Sequence, residues 1–229
     1  SAVSLGAPDR SVSFTVPTGN FGDIFAGYIA KRMGLPIDRL VIATNQNDIL
    51  HRCISTGRYD TDSVAPSISP SMDIQVSSNF ERALFDAYDR DGAAVAQLMS
   101  ELGAGGFGVS QGALETLRSH FDSGRVSEDE TLATITQAQA TMGELLCPHS
   151  AIGVKVAETL RDPATPMITL ATAHPAKFPD AVKSASGVNP PLPQPLSHPS
   201  ERPERVTRVA NHLTALEPTI RAPTPTAPL

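Results

Sequence analysis

Cysteine is scarce in this chain: Cys53 and Cys147 are the only two among 229 residues. They lie too far apart in sequence to form a disulfide framework or a zinc site. Two unpaired thiols fit a reducing, cytoplasmic setting. The six histidines include no His-Glu-x-x-His and no paired ligand spacing, so no metal is expected. No apolar run approaches the roughly 18 residues of a membrane-spanning helix, which excludes a membrane partner of that kind. A charged region followed by an apolar core, the mark of a signal peptide, is absent from the first residues. The formal charge is −6 and no long basic run occurs, so nucleic acid is not an expected partner. There is no initiating Met, and Ser1-Ala2-Val3-Ser4-Leu5-Gly6 reads as the last turn of a helix closed by Gly6, as expected of a fragment. No internal repeat is visible.

Hydrophobic residues make up 40% of the chain, enough for a core. One stretch organises it: Thr18-Gly19-Asn20-Phe21-Gly22-Asp23. A β-like run over 11–16 and Pro17 precede it. A helical run over 24–33 follows and stops at Gly34 and Pro36. A second β-like run covers 40–44. Strand, glycine turn, helix, strand is the pattern of a phosphate cradle, because backbone N–H groups converge and the helix N-terminus adds roughly half a positive charge. Glycine permits close backbone approach to an anion. The same pattern also serves a plain tight connection. A P-loop would end in Gly-Lys-Ser/Thr, and a dinucleotide fingerprint needs a third glycine, so both are excluded. Asp23 would repel an anion through its carboxylate, which points to helix capping, with its N–H free for a phosphate.

Phe25, Ile29 and Met33 recur at helical spacing as an apolar stripe, and small Ala26, Gly27 and Ala30 permit close packing on a sheet. The run over 40–44 reads as a buried parallel strand. Asn45 and Asn47 lie beyond its carboxyl end, where ligands gather in open α/β sheets, and Asp48 suits the cap of a helix over 49–55. Residues 61–73 read as an irregular loop. Its serines have no Gly-x-Ser-x-Gly elbow around them. A short β-like run covers 74–76. Ser78-Asn79 caps a helix over 80–88, and another helix follows Asp91. The glycine-rich 103–108 reads as a flexible connection. A helix covers 114–121. Ser127 and Glu130 form a capping box for a helix through Met142. His149, before a helix over 154–160, reads as a structural hydrogen-bonder or a catalytic group. The run over 167–172 is apolar enough for a central strand. Beyond it Thr172, His174 and Lys177 bring a hydroxyl, an imidazole and an amine together as a site signature. Lys177 opens a short helix toward Val182. The proline-dense 187–203 reads as a linker, 206–209 as a strand, Asn211 as the cap of a helix over 212–216, and 222–229 as a disordered tail.

The blocks Pro17-Thr18-Gly19-Asn20-Phe21-Gly22-Asp23, Ala43-Thr44-Asn45-Gln46-Asn47-Asp48, Pro70-Ser71-Met72-Asp73-Ile74, Ser77-Ser78-Asn79-Phe80-Glu81-Arg82, Pro148-His149-Ser150-Ala151 and Thr172-Ala173-His174-Pro175-Ala176-Lys177-Phe178 come in the order in which the threonine synthase family carries them. The chain resembles the C-terminal portion of that family. The resemblance implies a fold-type II pyridoxal-phosphate enzyme: an α/β, three-layer, open and mostly parallel sheet with helices on both faces, here incomplete. Residues 1–186 would form the cofactor-binding domain, 187–203 a connector, and 204–221 a strand and helix packed on it. The implied reaction converts O-phospho-L-homoserine and water to L-threonine and phosphate. The implied phosphate ligands of the pyridoxal 5'-phosphate are Gly19, Asn20, Phe21, Gly22 and Asp23. Thr172 would face the pyridine nitrogen with a neutral hydroxyl, leaving that nitrogen free of forced protonation. Asn45, His174 and Lys177 are candidate substrate contacts. The family's Schiff-base lysine lies upstream of every matched block, so no catalytic residue is expected in this chain. Its expected partner is the N-terminal half of the enzyme. The competing reading is a phosphate- or cofactor-binding module without catalysis.

Overall fold

The structure, a computed structural model, describes residues 1–194 and 206–221. After a 3₁₀ turn at Val3–Leu5, closed by Gly6, come β1 (Val12–Pro17), α1 (Gly22–Arg32), β2 (Ile37–Thr44) and α2 (Ile49–Thr56). Next are β3 (Arg58–Asp60), α3 (Phe80–Ala87), α4 (Gly92–Gly103), β4 (Gly106–Gly108), α5 (Gln111–His120) and β5 (Phe121–Arg125). The chain continues through α6 (Glu128–Met142), α7 (Pro148–Leu160), β6 (Met167–Thr169) and α8 (Pro179–Ser186), with α9 (Leu213–Arg221) last. Residues 1–191 form one compact unit; the second begins at Leu192 and contains α9.

Four parallel strands make the main sheet in the order β5-β2-β1-β6. Successive side chains point to opposite faces, so neighbouring residues of β2 serve two cores. Leu40 and Ile42 join Val16, Ile24, Phe25, Ile49 and Leu50 on one face. Val41 and Ala43 join Ile152 and Val156 of α7 on the other. All four β2 residues are fully buried, which accounts for its unbroken apolar run. Each such Leu or Ile contributes about 1.5–3 kcal/mol by leaving water. Outside α7 lie α6 and α8. The result is the three-layer, parallel α/β arrangement expected of the sequence.

α7 approaches the sheet closely because of Gly153. A Cβ there would lie 2.7 Å from Thr169 Cγ2 and 3.1 Å from Pro17 Cγ. Gly27 does the same for α1, where a Cβ would meet Leu40 Cδ2 at 2.9 Å.

Several local expectations differ from the structure. The buried face of α1 is Ile24, Phe25 and Tyr28, whereas Ile29 and Met33 are exposed. Tertiary packing on one sheet face selects that arc and overrides the i, i+4, i+8 stripe. β3 and β4 pair antiparallel where the sequence suggested only loops, and Phe107 stacks on Tyr59 there at 4.9 Å. β5 continues directly from α5 and was not anticipated. Residues 74–76 and 206–209 form no strand. Within the described residues β6 lies at an edge of the sheet, not at its centre. Asp48 and Asn79 stand at helix N-caps without making a side-chain cap bond. Asp48 instead pairs with Arg52 and Arg125. Most of the proline-dense connector, 195–203, and the tail at 222–229 fall outside the described residues.

Candidate functional site

The glycine loop leaves β1 while still tied to the sheet: Thr18 N donates to Ala43 O at 2.8 Å. Its carbonyls are then claimed from outside. Ser77 Oγ donates to Gly19 O at 2.8 Å, and Asn79 donates to Asn20 O through its backbone N at 3.0 Å and its Nδ2 at 3.1 Å. The Asn20 carboxamide folds back and accepts from Gly22 N at 2.9 Å. Among the described residues, the N–H groups of Gly19, Asn20 and Phe21 have no protein partner. They are three adjacent donors at the N-terminus of α1, where the helix dipole favours negative charge.

Phe21 holds this shape from below. Its backbone is left-handed, with φ of 69°, which costs a non-glycine residue about 1–3 kcal/mol. Its ring is fully buried and makes edge contacts with Phe80 and Phe121 at 5.1 and 5.3 Å. Burying an aromatic ring of this size offsets the strain.

The loop forms one wall of a cleft of about 170 Å³. Gly19, Asn20 and Asp23 line it from β1 and α1, Ser71 from the long loop, His149 from α7, and Thr172 and Lys177 from beyond β6. Parallel pairing of β6 with β1 brings the last two to the loop, because both strands end on the same side of the sheet. Ser71 approaches so closely that a Cβ on Gly19 would lie 2.5 Å from its carbonyl oxygen. A larger groove of about 640 Å³ runs between α1, α3 and α4 and shares no lining residue with the cleft. Among its charges, Arg90 pairs with Asp86 at 3.2 Å, and Arg82 lies over the Phe25 ring at 4.1 Å.

Asn45 does not line the cleft. It is buried, and its Nδ2 lies 2.9, 2.9 and 2.8 Å from Ser67 Oγ, Ser69 Oγ and Asp73 Oδ1. Asn47 Nδ2 donates to the same carboxylate oxygen at 2.9 Å. This network folds the loop that carries Ser71 down onto Gly19. His174 is also outside: its Nδ1 accepts from Ala176 N at 3.1 Å and caps a 3₁₀ turn. Phe21 and Gly22 shape the loop and contribute no lining surface. Asp23 makes no cap bond and is exposed in the first turn of α1.

His149 is the lining residue that sequence reasoning left between a structural hydrogen-bonder and a catalytic group. It is 4% exposed, and neither ring nitrogen has a partner. Burial first, and then the Lys177 ammonium, push its pKa down to about 4, with Asp73 pulling the other way. Near neutral pH it is an uncharged imidazole with one donor and one acceptor unspent. The Pro148-His149 pair at a helix start was the available signal. Cys53, by contrast, is inert, since burial raises its thiol pKa to about 12.

Comparison with known proteins bears on this arrangement. A family profile described as "Threonine synthase, C-terminal" matches residues 150–220. A threonine synthase of Pseudomonas aeruginosa is 53% identical over 219 residues, covering 94% of this chain and 47% of that protein. This chain is similar to the threonine synthases over nearly its whole length, with the family's C-terminal profile at residues 150–220. A threonine synthase of Corynebacterium glutamicum is 43% identical, covering 91% of the chain and 45% of that protein. The crystal structure of a PLP-bound threonine synthase from Brucella melitensis superposes with a TM-score of 0.89 at 59% identity, over 96% of this chain and 48% of that one. The yeast threonine synthase structure gives 0.75 at 43% identity, over 80% of this chain and 40% of that one. The chain thus spans about half the length of the threonine synthases it matches. Among the described residues no helix is long and apolar enough to cross a membrane.

Proposed function

We propose that the cleft binds pyridoxal 5'-phosphate, and that the protein carrying this chain converts O-phospho-L-homoserine and water to L-threonine and phosphate in the cytoplasm. The observation that carries the reading is the pair of cleft-lining residues Gly19 and Asn20 with unpartnered N–H groups, continued by the unpartnered N–H of Phe21, beside Thr172 in the same cleft. The residues fit the cofactor. A phosphate needs convergent donors at a helix N-terminus, and the loop offers them. A pyridine nitrogen needs a short-range partner, and the Thr172 hydroxyl can donate to it or accept from it. When bound, the cofactor supplies an electron sink for the bond changes at the amino acid.

The chain's own residues then bind and orient. Asn20, by folding onto Gly22 N, keeps the loop donors turned outward. The Asn45–Asp73 network holds Ser71 against Gly19 and narrows the cleft. Lys177 adds a positive charge for an anionic substrate. The lysine that holds the cofactor's aldehyde belongs, by the family resemblance, to the upstream segment, so that segment is the necessary partner. A phosphate-binding module without catalysis would use the same donors.

The test is reconstitution. The chain is mixed with the N-terminal half of a relative, pyridoxal phosphate is added, and cofactor absorbance and phosphate release from O-phospho-L-homoserine are followed. Both signals are expected, and both should weaken in Asn20→Ala. Cofactor absorbance without phosphate release would favour the module. Absence of both would sink the reading.

A further inference from the structure

We propose that His149 and Lys177 form an anion-contacting pair on the α7 side of the cleft, built for a phosphate ester group of the substrate. The inference rests on the cleft being a two-anion site, as in the reading above, and goes further by assigning the second anion to named side chains.

The geometry sets His149 apart from an ordinary buried histidine. A buried imidazole is normally held by hydrogen bonds through its nitrogens. Here the ring is held by packing, with Phe178 at 4.8 Å and 45°, and both nitrogens stay uncommitted although the residue lines the cleft. Lys177 sits two elements away in sequence but on the same cleft. It is exposed and has no ion pair among the described residues. His149 is also the second residue of a 13-residue helix, so the positive end of that dipole adds to the field. α1 and α7 belong to opposite faces of the sheet, so their N-termini reach the cleft from two sides.

The acidic groups facing the pair do not cancel it. Asp73 accepts from Asn45, Asn47 and Ser67 at 2.6–2.9 Å, and its charge acts on His149 less than burial and the Lys177 ammonium do. Asp23, on α1, is exposed to water. An anion placed between Lys177 and His149 would accept the imidazole N–H. It would also offset the ammonium charge that disfavours a second proton on the ring. Anion binding is therefore coupled to proton uptake at His149, one of whose shielded nitrogens turns toward the cleft to donate to the anion.

Sulfate is the probe, because it has the geometry of a phosphate group and does not titrate between pH 4 and 8. The protein carrying this chain is labelled with carbon-13 histidine and followed by NMR from pH 7 to pH 4, with and without sulfate. The His149 resonance should titrate near pH 4 alone and about one unit higher with sulfate. Sulfate should bind about twofold more tightly at pH 5 than at pH 7, and about fivefold more tightly at pH 4. His149→Asn, which keeps a donor but cannot take a proton, should lose that pH dependence, and Lys177→Met should weaken binding at every pH. A His149 resonance unmoved by sulfate, or the same pH profile in His149→Asn, overturns the pair. Pyridoxal phosphate absorbance is recorded in parallel. Normal cofactor binding with a negative sulfate result removes the pair and leaves the proposed reaction standing. A positive sulfate result without cofactor binding does the reverse.

Discussion

At Gly19 the deciding distance is 2.5 Å, between a built Cβ and the Ser71 carbonyl oxygen. Backbone faces backbone there, so neither side yields cheaply. Gly19→Ala should lower stability by about 1–3 kcal/mol, read as a shift in urea midpoint, and open the cleft enough to weaken cofactor binding. His149 acts through charge. Its folded pKa of about 4 lies below the unfolded value near 6.5, so the unfolded chain takes up the proton first as the pH falls. The stability that comes from keeping it neutral is complete above about pH 6.5 and lost on the way to about pH 4, by about 3 kcal/mol at most. Urea midpoints at pH 7 and pH 4.5 should therefore fall further in the native protein than in His149→Asn; equal falls would refute the assignment. That Thr172 and Lys177 line one cleft was legible, because they stand together just past a β-run. His149 was not, because no local pattern tells which helix start the fold carries to the glycine loop.

Element ends were legible wherever side chain and backbone settle them locally. Ser127 and Glu130 form the expected capping box: Ser127 Oγ accepts from Glu130 N at 3.3 Å, and Ser127 N donates to Glu130 Oε2 at 2.9 Å. Ser127→Ala should cost about 1 kcal/mol, measured as a lowered thermal midpoint, while cofactor binding is unchanged. Asp91 and Ser110 cap α4 and α5 by accepting from helix N–H groups, without a reciprocal box. The failures lie where an element exists only through its neighbours. In β5, Phe121 is followed by Asp122, Ser123, Gly124 and Arg125, which favour no strand individually. Pairing with β2 makes it one, and Gly124 is needed because a Cβ would meet Val156 Cγ1 at 2.7 Å. β3 and β4 likewise depend on the stack of Tyr59 on Phe107. Asn79 shows the same override at a cap: its side chain serves the Asn20 carbonyl instead of its own helix.

Over the whole first unit, β2 links the two cores. Ile42 belongs to one and Val41 to the other, and both are fully buried. Ile42→Ala should destabilise by about 2–5 kcal/mol in urea, with an unchanged dependence on denaturant concentration, because the same surface is exposed on unfolding. A smaller cost would mean that α1 and α2 collapse into the space left.

The sequence by itself determined the α/β class, the strand character of β1, the buried character of β2, the glycine loop, the capping box of α6, and the ordered blocks that point to the threonine synthases. Each depends on residues close together in the chain. Only the tertiary structure decided the strand order β5-β2-β1-β6, the place of β5, and the company of the glycine loop. With β6 beside β1, Thr172 and Lys177 end up next to Gly19. With α7 pressed on the sheet through Gly153, His149 joins them. Such meetings depend on burial and register summed over many distant residues, which no short window of sequence contains.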